Sequence, residues 1–225
     1  VATGILSGAE GAYRLVLRSA SDLEMQGPTC GELYPPERSG RVLISEIADP
    51  DNEPGARFLE LYNTGNAALD LKGWRLVRYT NDNESPGGTA ALDGLRIPAG
   101  GTLVFSADPE VFESTYGMAP DATLRRNGPA DSNGDDNILL INPFDEVTDA
   151  FGVPGEDGSG TYHEFEDGRA LRRPEVEEAS PVFRPGEWIM TNDSGGEGSL
   201  RNPLNAPEGY TPGTHPDREA PSKGF

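Results

Sequence analysis

Between Arg41 and Met190, short apolar and β-branched runs alternate with clusters of Gly, Pro, Asn and Asp, and this alternation restricts the fold more than any other feature. The runs are RVLISEI (41–47), RFLELYN (57–63), GWRLVRY (73–79), two short ones within GLRIPAGGTLVFS (94–106), NILLINP (137–143), EVTDAFGV (146–153) and SPVFRPGEWIM (180–190). They are shorter than ordinary helices and are bounded by turn-favouring residues, so they predict strands. About seven short strands at this spacing imply an all-β chain folded as a β-sandwich. Gly 29 and Pro 20 suit many turns and stay below the collagen-like or low-complexity range. One helix is predicted after Asp108, which can cap it. Pro109 suits the first position and Glu110 the positive end of the dipole. Val111, Phe112, Thr115 and Tyr116 form its apolar stripe, Gly117 ends it, and it is expected to plug one end of the sandwich.

The flanks read differently. In residues 1–25, Tyr13, Leu15 and Leu17 alternate with Arg14, Val16 and Arg18, a strand pattern. A lone strand cannot bury itself, so it is expected to pair with the following domain or to have lost its own. Residues 26–40, with Pro28, Gly31, Pro35, Pro36 and Gly40, read as a linker, and the single Cys30 within it forms no internal disulfide. Residues 41–191 read as the sandwich and 192–225, rich in Gly, Pro, Asn and Glu, as an irregular extension. No stretch of 18 apolar residues is present, so no membrane-spanning helix is predicted. With no initial Met and no basic region leading into an apolar one, the chain is expected to be a piece of a longer protein.

Acidic residues number 38 against 18 basic ones, a net charge of −20, and Lys72 and Lys223 are the only lysines. Such a field repels phosphate backbones and disfavours broad electrostatic nucleic-acid binding. It is compatible with solubility outside the cell or with attraction of Ca²⁺.

The stretch FLELYNTGNAALDLKGWRL (58–76) is the most patterned in the chain. With LISEI before it, it resembles the lamin tail domain as it occurs in bacterial proteins, through Ile44, Glu46, Ile47, Phe58, Glu60, Leu61, Tyr62, Asn63, Asp70, Leu71, Gly73, Trp74 and Leu76. IPAGGTLVFSAD, NGDDNILLIN and VTDAFGVPGEDG are similar to the family's later strands, and YTPGTHP to its closing turn. The resemblance runs from about 42 to 216 and implies an immunoglobulin-like β-sandwich. GAYRLVLRSASDLE is similar to the end of an OB-like segment that accompanies this domain in secreted nucleases and surface proteins.

Several residues are candidates for chemistry. Glu46 and Glu60 fall among apolar neighbours; with Val42, Ile44, Phe58 and Tyr62 they would share one face. Two such carboxylates need a partner: they could act as acid and base, ligate Ca²⁺, or pair on the outer face with Arg57, Arg75 or Arg78, which is the favoured reading. In ADSNGDDN, the oxygens of Asp131, Asn133, Asp135 and Asp136 around Gly134 resemble the start of a calcium loop. A hairpin turn explains the same residues and is favoured, since the loop's twelfth position is Asn142. Asp49, Asp51, Asn52 and Glu53 in DPDNEPG pose the same choice between chelation and loop solvation. His163 and His215 are expected at the surface, Trp74 and Trp188 in the core. RALRRPE (169–175) with Arg125 and Arg126 is the one basic concentration, and salt bridges are its expected use.

No nucleophile with a matching base is visible, so no catalytic residue is assigned and the piece is expected not to be an enzyme. By resemblance, the expected role is a binding or architectural module of an exported bacterial protein, extracellular or at the cell surface. Its partners would be other domains of its parent chain, protein, glycan or nucleic acid. Two alternatives stand beside this: an accessory, DNA-handling part of a secreted nuclease, and a calcium-stiffened adhesion module.

Overall fold

The computed structural model describes residues 40–215 in full and, before them, the strands β1 (Ile5–Ala9) and β2 (Ala12–Val16). Leu17, the linker up to its final Gly40, Cys30 and residues 216–225 lie outside the described residues. β1 and β2 pair antiparallel within a unit spanning Val1–Glu37, so the strand read at Tyr13 and Leu15 has a partner in its own unit.

The second unit, Arg38–Phe225, is an immunoglobulin-like β-sandwich. Its first strands are β3 (Val42–Ala48), β4 (Phe58–Asn63), β5 (Leu69–Asp70), β6 (Arg75–Tyr79), β7 (Gly88–Ala91), β8 (Arg96–Ile97) and β9 (Thr102–Ser106). After helix α1 (Pro109–Tyr116) come β10 (Ala122–Thr123), β11 (Asn137–Ile141), β12 (Val147–Phe151), β13 (Arg169–Arg172), β14 (Trp188–Asn192) and β15 (Leu200–Arg201). A seven-stranded sheet has the order β10-β9-β4-β3-β13-β14-β15, and a four-stranded sheet the order β12-β11-β6-β7. Between them Val42, Ile44, Leu59, Leu61 and Phe105 meet Leu76, Ile138, Leu140 and Phe151 around Trp74 and Trp188. Burial of this apolar surface is the main force holding the two layers together.

The DLKGW stretch is a device for delivering Trp74. Asp70 accepts the Lys72 N–H, Asp93 accepts the Gly73 N–H, and Gly73 takes φ +79°, a left-handed conformation that favours glycine. The turn aims Trp74 into the core, where it is 1 % exposed. Asn63 shapes the preceding loop by accepting from Gly65 N–H and donating to the carbonyls of Ala67 and Pro98.

Helix α1 has the expected ends: Asp108 accepts the Val111 N–H and Gly117 closes it at φ +72°. Its position differs from expectation. It lies over the outer face of the seven-stranded sheet, where Phe112 and Tyr116 pack edge-on against Phe58. Phe58 and Val104 make that face apolar there, and a helix stripe is the surface that covers them.

The loop ADSNGDDN is not a hairpin turn. The strands around it, β10 and β11, belong to different sheets, so it is a crossover. Gly134 is required at φ +105° because a Cβ there would stand 2.2 Å from the Glu166 Cα. β13 escaped prediction because arginines flank its apolar residues and hide the alternation.

Candidate functional site

Sequence reading places Glu46 on the same face as Ile44; a bulge overturns this. β3 pairs with β4 as Ile44 with Leu61 but Glu46 with Glu60, which leaves Ser45 as the extra residue. After the bulge the alternation is inverted. Ile44 and Ile47 face the sandwich core, while Glu46 and Ala48 join Phe58, Glu60 and Val104 on the outer face of the sheet.

Both glutamates are 0 % exposed, and neither pairs as expected with Arg57, Arg75 or Arg78. Those arginines answer Asp49, Asp145 and Asp136 instead. Glu46 Oε1 accepts from Arg169 Nη1 at 3.2 Å and Thr211 N–H at 3.3 Å, and Oε2 from the Thr211 hydroxyl at 2.7 Å. Glu60 Oε1 accepts the Ser45 hydroxyl and Oε2 the Gly213 N–H, both at 2.6 Å. Burial raises the pKa of Glu46, against the Arg169 charge that lowers it. Glu60 has no arginine, and burial followed by the Glu46 charge pushes it up to about 8. The two carboxylates thus receive the closing turn TPG over the outer face. Around them Leu204, Ala206 and Tyr210 join the Phe58 cluster, so the segment read as an irregular extension from residue 192 packs, through residue 215, into the sandwich unit.

A second buried carboxylate, Asp149 on β12, went unweighed in the sequence. It is 0 % exposed and joins the two sheets. Oδ2 accepts the Ile44 N–H at 2.8 Å, on the stretch of β3 that β13 does not reach, and Oδ1 accepts from Arg172 Nη2 at 2.7 Å and Ser180 N–H at 2.9 Å. Arg172, itself 1 % exposed, stacks on Trp188 with 4.6 Å to the ring centroid. Burial raises Asp149 despite this arginine. The signal was present: Asp149 shares the buried face with Phe151 in VTDAF, so a carboxylate stood at a core position.

The calcium-like string is dispersed. Asp131 accepts the Asn127 N–H and faces Arg57 at 3.7 Å, Asp135 accepts from the Asn81 amide, and Asp136 faces Arg78 at 3.4 Å, while Asn133 is exposed. Their oxygens do not converge; among the described residues, the acidic group whose oxygens lie within 4.8 Å of one another is Glu164, Glu166 and Asp193. There the Glu164 carboxylate already accepts from Ser194 and Asn192. In DPDNEPG Asp49, Asn52 and Glu53 organise structure, while Asp51 is exposed. Asp49 holds Arg57 at 2.6 Å and sits near pKa 6 through burial, Asn52 exchanges hydrogen bonds with the Ala206 backbone, and Glu53 caps a 3₁₀ turn.

His163 is not at the surface. It is 2 % exposed, lies edge-on to Phe151 and Phe183, and has its pKa lowered by burial. Its Nδ1 lies 3.0 Å from the Thr161 hydroxyl. His215 packs against Tyr62, with ring centroids 5.0 Å apart. Trp74 and Trp188 are core, as expected. Of the basic stretch, Arg169 and Arg172 serve the buried acids, Arg173 donates to the Gly186 carbonyl, and Arg126 pairs with Asp108.

An immunoglobulin-like sandwich carrying these motif residues defines a class, and the comparison with protein families agrees. The Lamin Tail Domain family matches residues 35–155, over half of the chain, and the chain belongs to that family. Its domain is a non-catalytic, immunoglobulin-like module of the protein-interaction type. No curated protein matches the chain. No helix among the described residues is long and apolar enough to cross a membrane. The match ends well before Thr211 and Gly213, yet Glu46 and Glu60 inside it bind those two residues.

Proposed function

We propose that this chain is a non-catalytic binding or architectural module of a larger exported bacterial protein, working outside the cell or at its surface. One observation supports the reading most: the carboxylate oxygens of Glu46 and Glu60 are all taken up by Ser45, Arg169, Thr211 and Gly213. Carboxylates bound in this way hold a segment of chain in place and present no free base to a substrate. The partners are other domains of the parent chain, with protein, glycan or nucleic acid as further ligands of the assembled protein. The test is a nuclease assay of the purified chain on single- and double-stranded DNA with Mg²⁺. Absence of turnover is expected; Mg²⁺-dependent cleavage that tracks the chain through purification overturns the module in favour of a nuclease part.

A calcium-stiffened module is the second reading, favoured by the convergence of Glu164, Glu166 and Asp193. It requires millimolar Ca²⁺ to raise Tm, with loss of the rise in Glu166→Gln. An unchanged Tm eliminates it, and a rise lost only in Asp135→Ala and Asp136→Ala moves the ion to the crossover loop.

A further inference from the structure

β15 covers only part of the edge it occupies. It pairs in parallel with Thr191 and Asn192 of β14, and its ladder begins at Leu200. Upstream, Trp188, Ile189 and Met190 border a groove of about 400 Å³ whose other walls include Tyr162, Gly198 and Leu200. The loop before β15 is tied to the end of β14 through Asn192 Oδ1, which accepts from Gly195 N–H and the Ser199 hydroxyl, and its Glu197 and Gly198 form one wall of the groove.

The backbone register shows what this edge offers. Arg173 N–H donates to the Glu187 carbonyl, so Glu187, Ile189 and Thr191 turn their backbone groups toward β13. Trp188 and Met190 turn theirs the other way. Trp188 N–H is bound by the Pro185 carbonyl. The Trp188 carbonyl and the Met190 N–H therefore stand ahead of the β15 ladder, taken by neither neighbouring strand. Trp188 is among the residues that line the groove, while its side chain, 3 % exposed, is buried in the core.

The rim selects the side chains of an occupant. Tyr162 is 54 % and Leu200 60 % exposed, an apolar pair on an otherwise acidic molecule. The two charged side chains lining the groove are Arg173, whose Nε donates to the Gly186 carbonyl, and Glu197; neither has an ion pair among the described residues. With the chain at −20, the overall field favours a cation, and Glu197 is the carboxylate at hand to receive it.

Building on the module reading, we propose that this groove is a docking site for an extended, basic segment of a partner protein. The segment adds as a strand alongside Trp188–Met190, in line with β15. Its backbone bonds the Trp188 carbonyl and Met190 N–H, alternate apolar side chains lie against Tyr162 and Leu200, and Arg or Lys reaches Glu197.

The test is a fluorescence-anisotropy titration of the whole chain with a labelled octapeptide of alternating arginine and valine, at low salt and at about 150 mM salt. Saturable binding at both is expected, with the Trp188 indole N–H signal shifted in a ¹⁵N spectrum. An octapeptide of alternating glutamate and valine is expected to bind at least about tenfold more weakly, and Leu200→Asp to weaken the basic peptide by about tenfold or more. Leu200 is exposed, so that variant folds. Absence of binding overturns the proposal, as does equal binding of a peptide in which glycine replaces valine, which would mean charge attraction alone. Concentration-dependent dimerisation in sedimentation that Leu200→Asp abolishes also overturns it and assigns the edge to a second copy. DNA cleavage by a chain that still binds the peptide refutes the module reading alone; a chain that neither cleaves DNA nor binds the peptide refutes this proposal alone.

Discussion

The two faces of the seven-stranded sheet are held by different chemistry. The inner face meets the second sheet through aliphatic and aromatic side chains that the strands themselves supply, Ile44, Ile47, Leu59, Leu61 and Phe105 among them. The outer face mixes Phe58 and Val104 with Glu46 and Glu60, and is closed by α1 and by a segment about 150 residues further along. Apolar burial is non-directional and tolerates small shifts, whereas each carboxylate must find donors at hydrogen-bond distance. The inner face therefore secures the fold, and the outer face secures one arrangement of the closing segment. That difference is measurable.

The largest effect is expected on the inner side. Trp74→Ala leaves a cavity in the middle of the core and should cost about 4 kcal/mol by urea denaturation. The whole sandwich should lose its protection from proteolysis together. A loss under 1 kcal/mol would mean that the two faces do not differ as described.

On the outer side, Glu46→Ala strips the partner from Arg169 and two donors on Thr211, and should cost about 3 kcal/mol. Here the sharper readout is local. Residues 202–215 should become protease-sensitive before the rest, because the inner face is intact.

Glu60 gives a smaller, pH-shaped effect. Its folded pKa of about 8 lies above its ordinary 4.5, so between those values the folded state binds more protons than the unfolded one. Stability from this group is full below about pH 4.5 and is lost as pH rises toward 8 and beyond, on the order of a few kcal/mol in all. Glu60→Gln cannot ionise and should flatten that part of the profile, with little loss at pH 5. The Ser45 hydroxyl lies 2.6 Å from Oε1 and 3.2 Å from the Glu60 carbonyl, so it can donate to the carbonyl and accept from the amide. A profile for Glu60→Gln that still falls as in the native chain would place the titration elsewhere. The smallest change is Thr211→Val, which removes one hydroxyl donor to Glu46 and should cost about 1 kcal/mol.

How far the sequence foretold these faces depends on what each residue needed. The longer strands between Val42 and Met190 other than β7 and β13, the capped helix and the core tryptophans are legible because period-two alternation, Pro and Gly signals and aromatic burial are local properties. Trp74 sits in the core as expected, and Leu59, Leu61, Leu71 and Leu76 join it there. Glu60 stands out as a carboxylate that packing does not explain, with an arginine or a cation as its expected partner; the partners are a hydroxyl and a backbone N–H. The outer-face reading of Glu46 and Glu60 holds, but Ser45 gives no sequence sign of its bulge, so period-two spacing groups Glu46 with Val42 and Ile44, which face the core. Arg169 and Arg172 form salt bridges as expected, but nothing local shows that their partners are buried acids, Glu46 and Asp149, on other strands. The groove beside β14 had no signature either, since it depends on where β15 begins to pair.

By itself, then, the chain's order of residues determined the class of fold, most of its strands, the helix ends and the apolar core, because those follow from the local period of side chains and from backbone preference. Tertiary structure alone decided the partners of Glu46, Glu60 and Asp149, the docking of residues 202–215 and the open edge at Trp188–Met190. A buried charge or an unpaired strand edge is satisfied by whatever group arrives in space, and chain separations of 105 to 165 residues carry no local trace of that meeting.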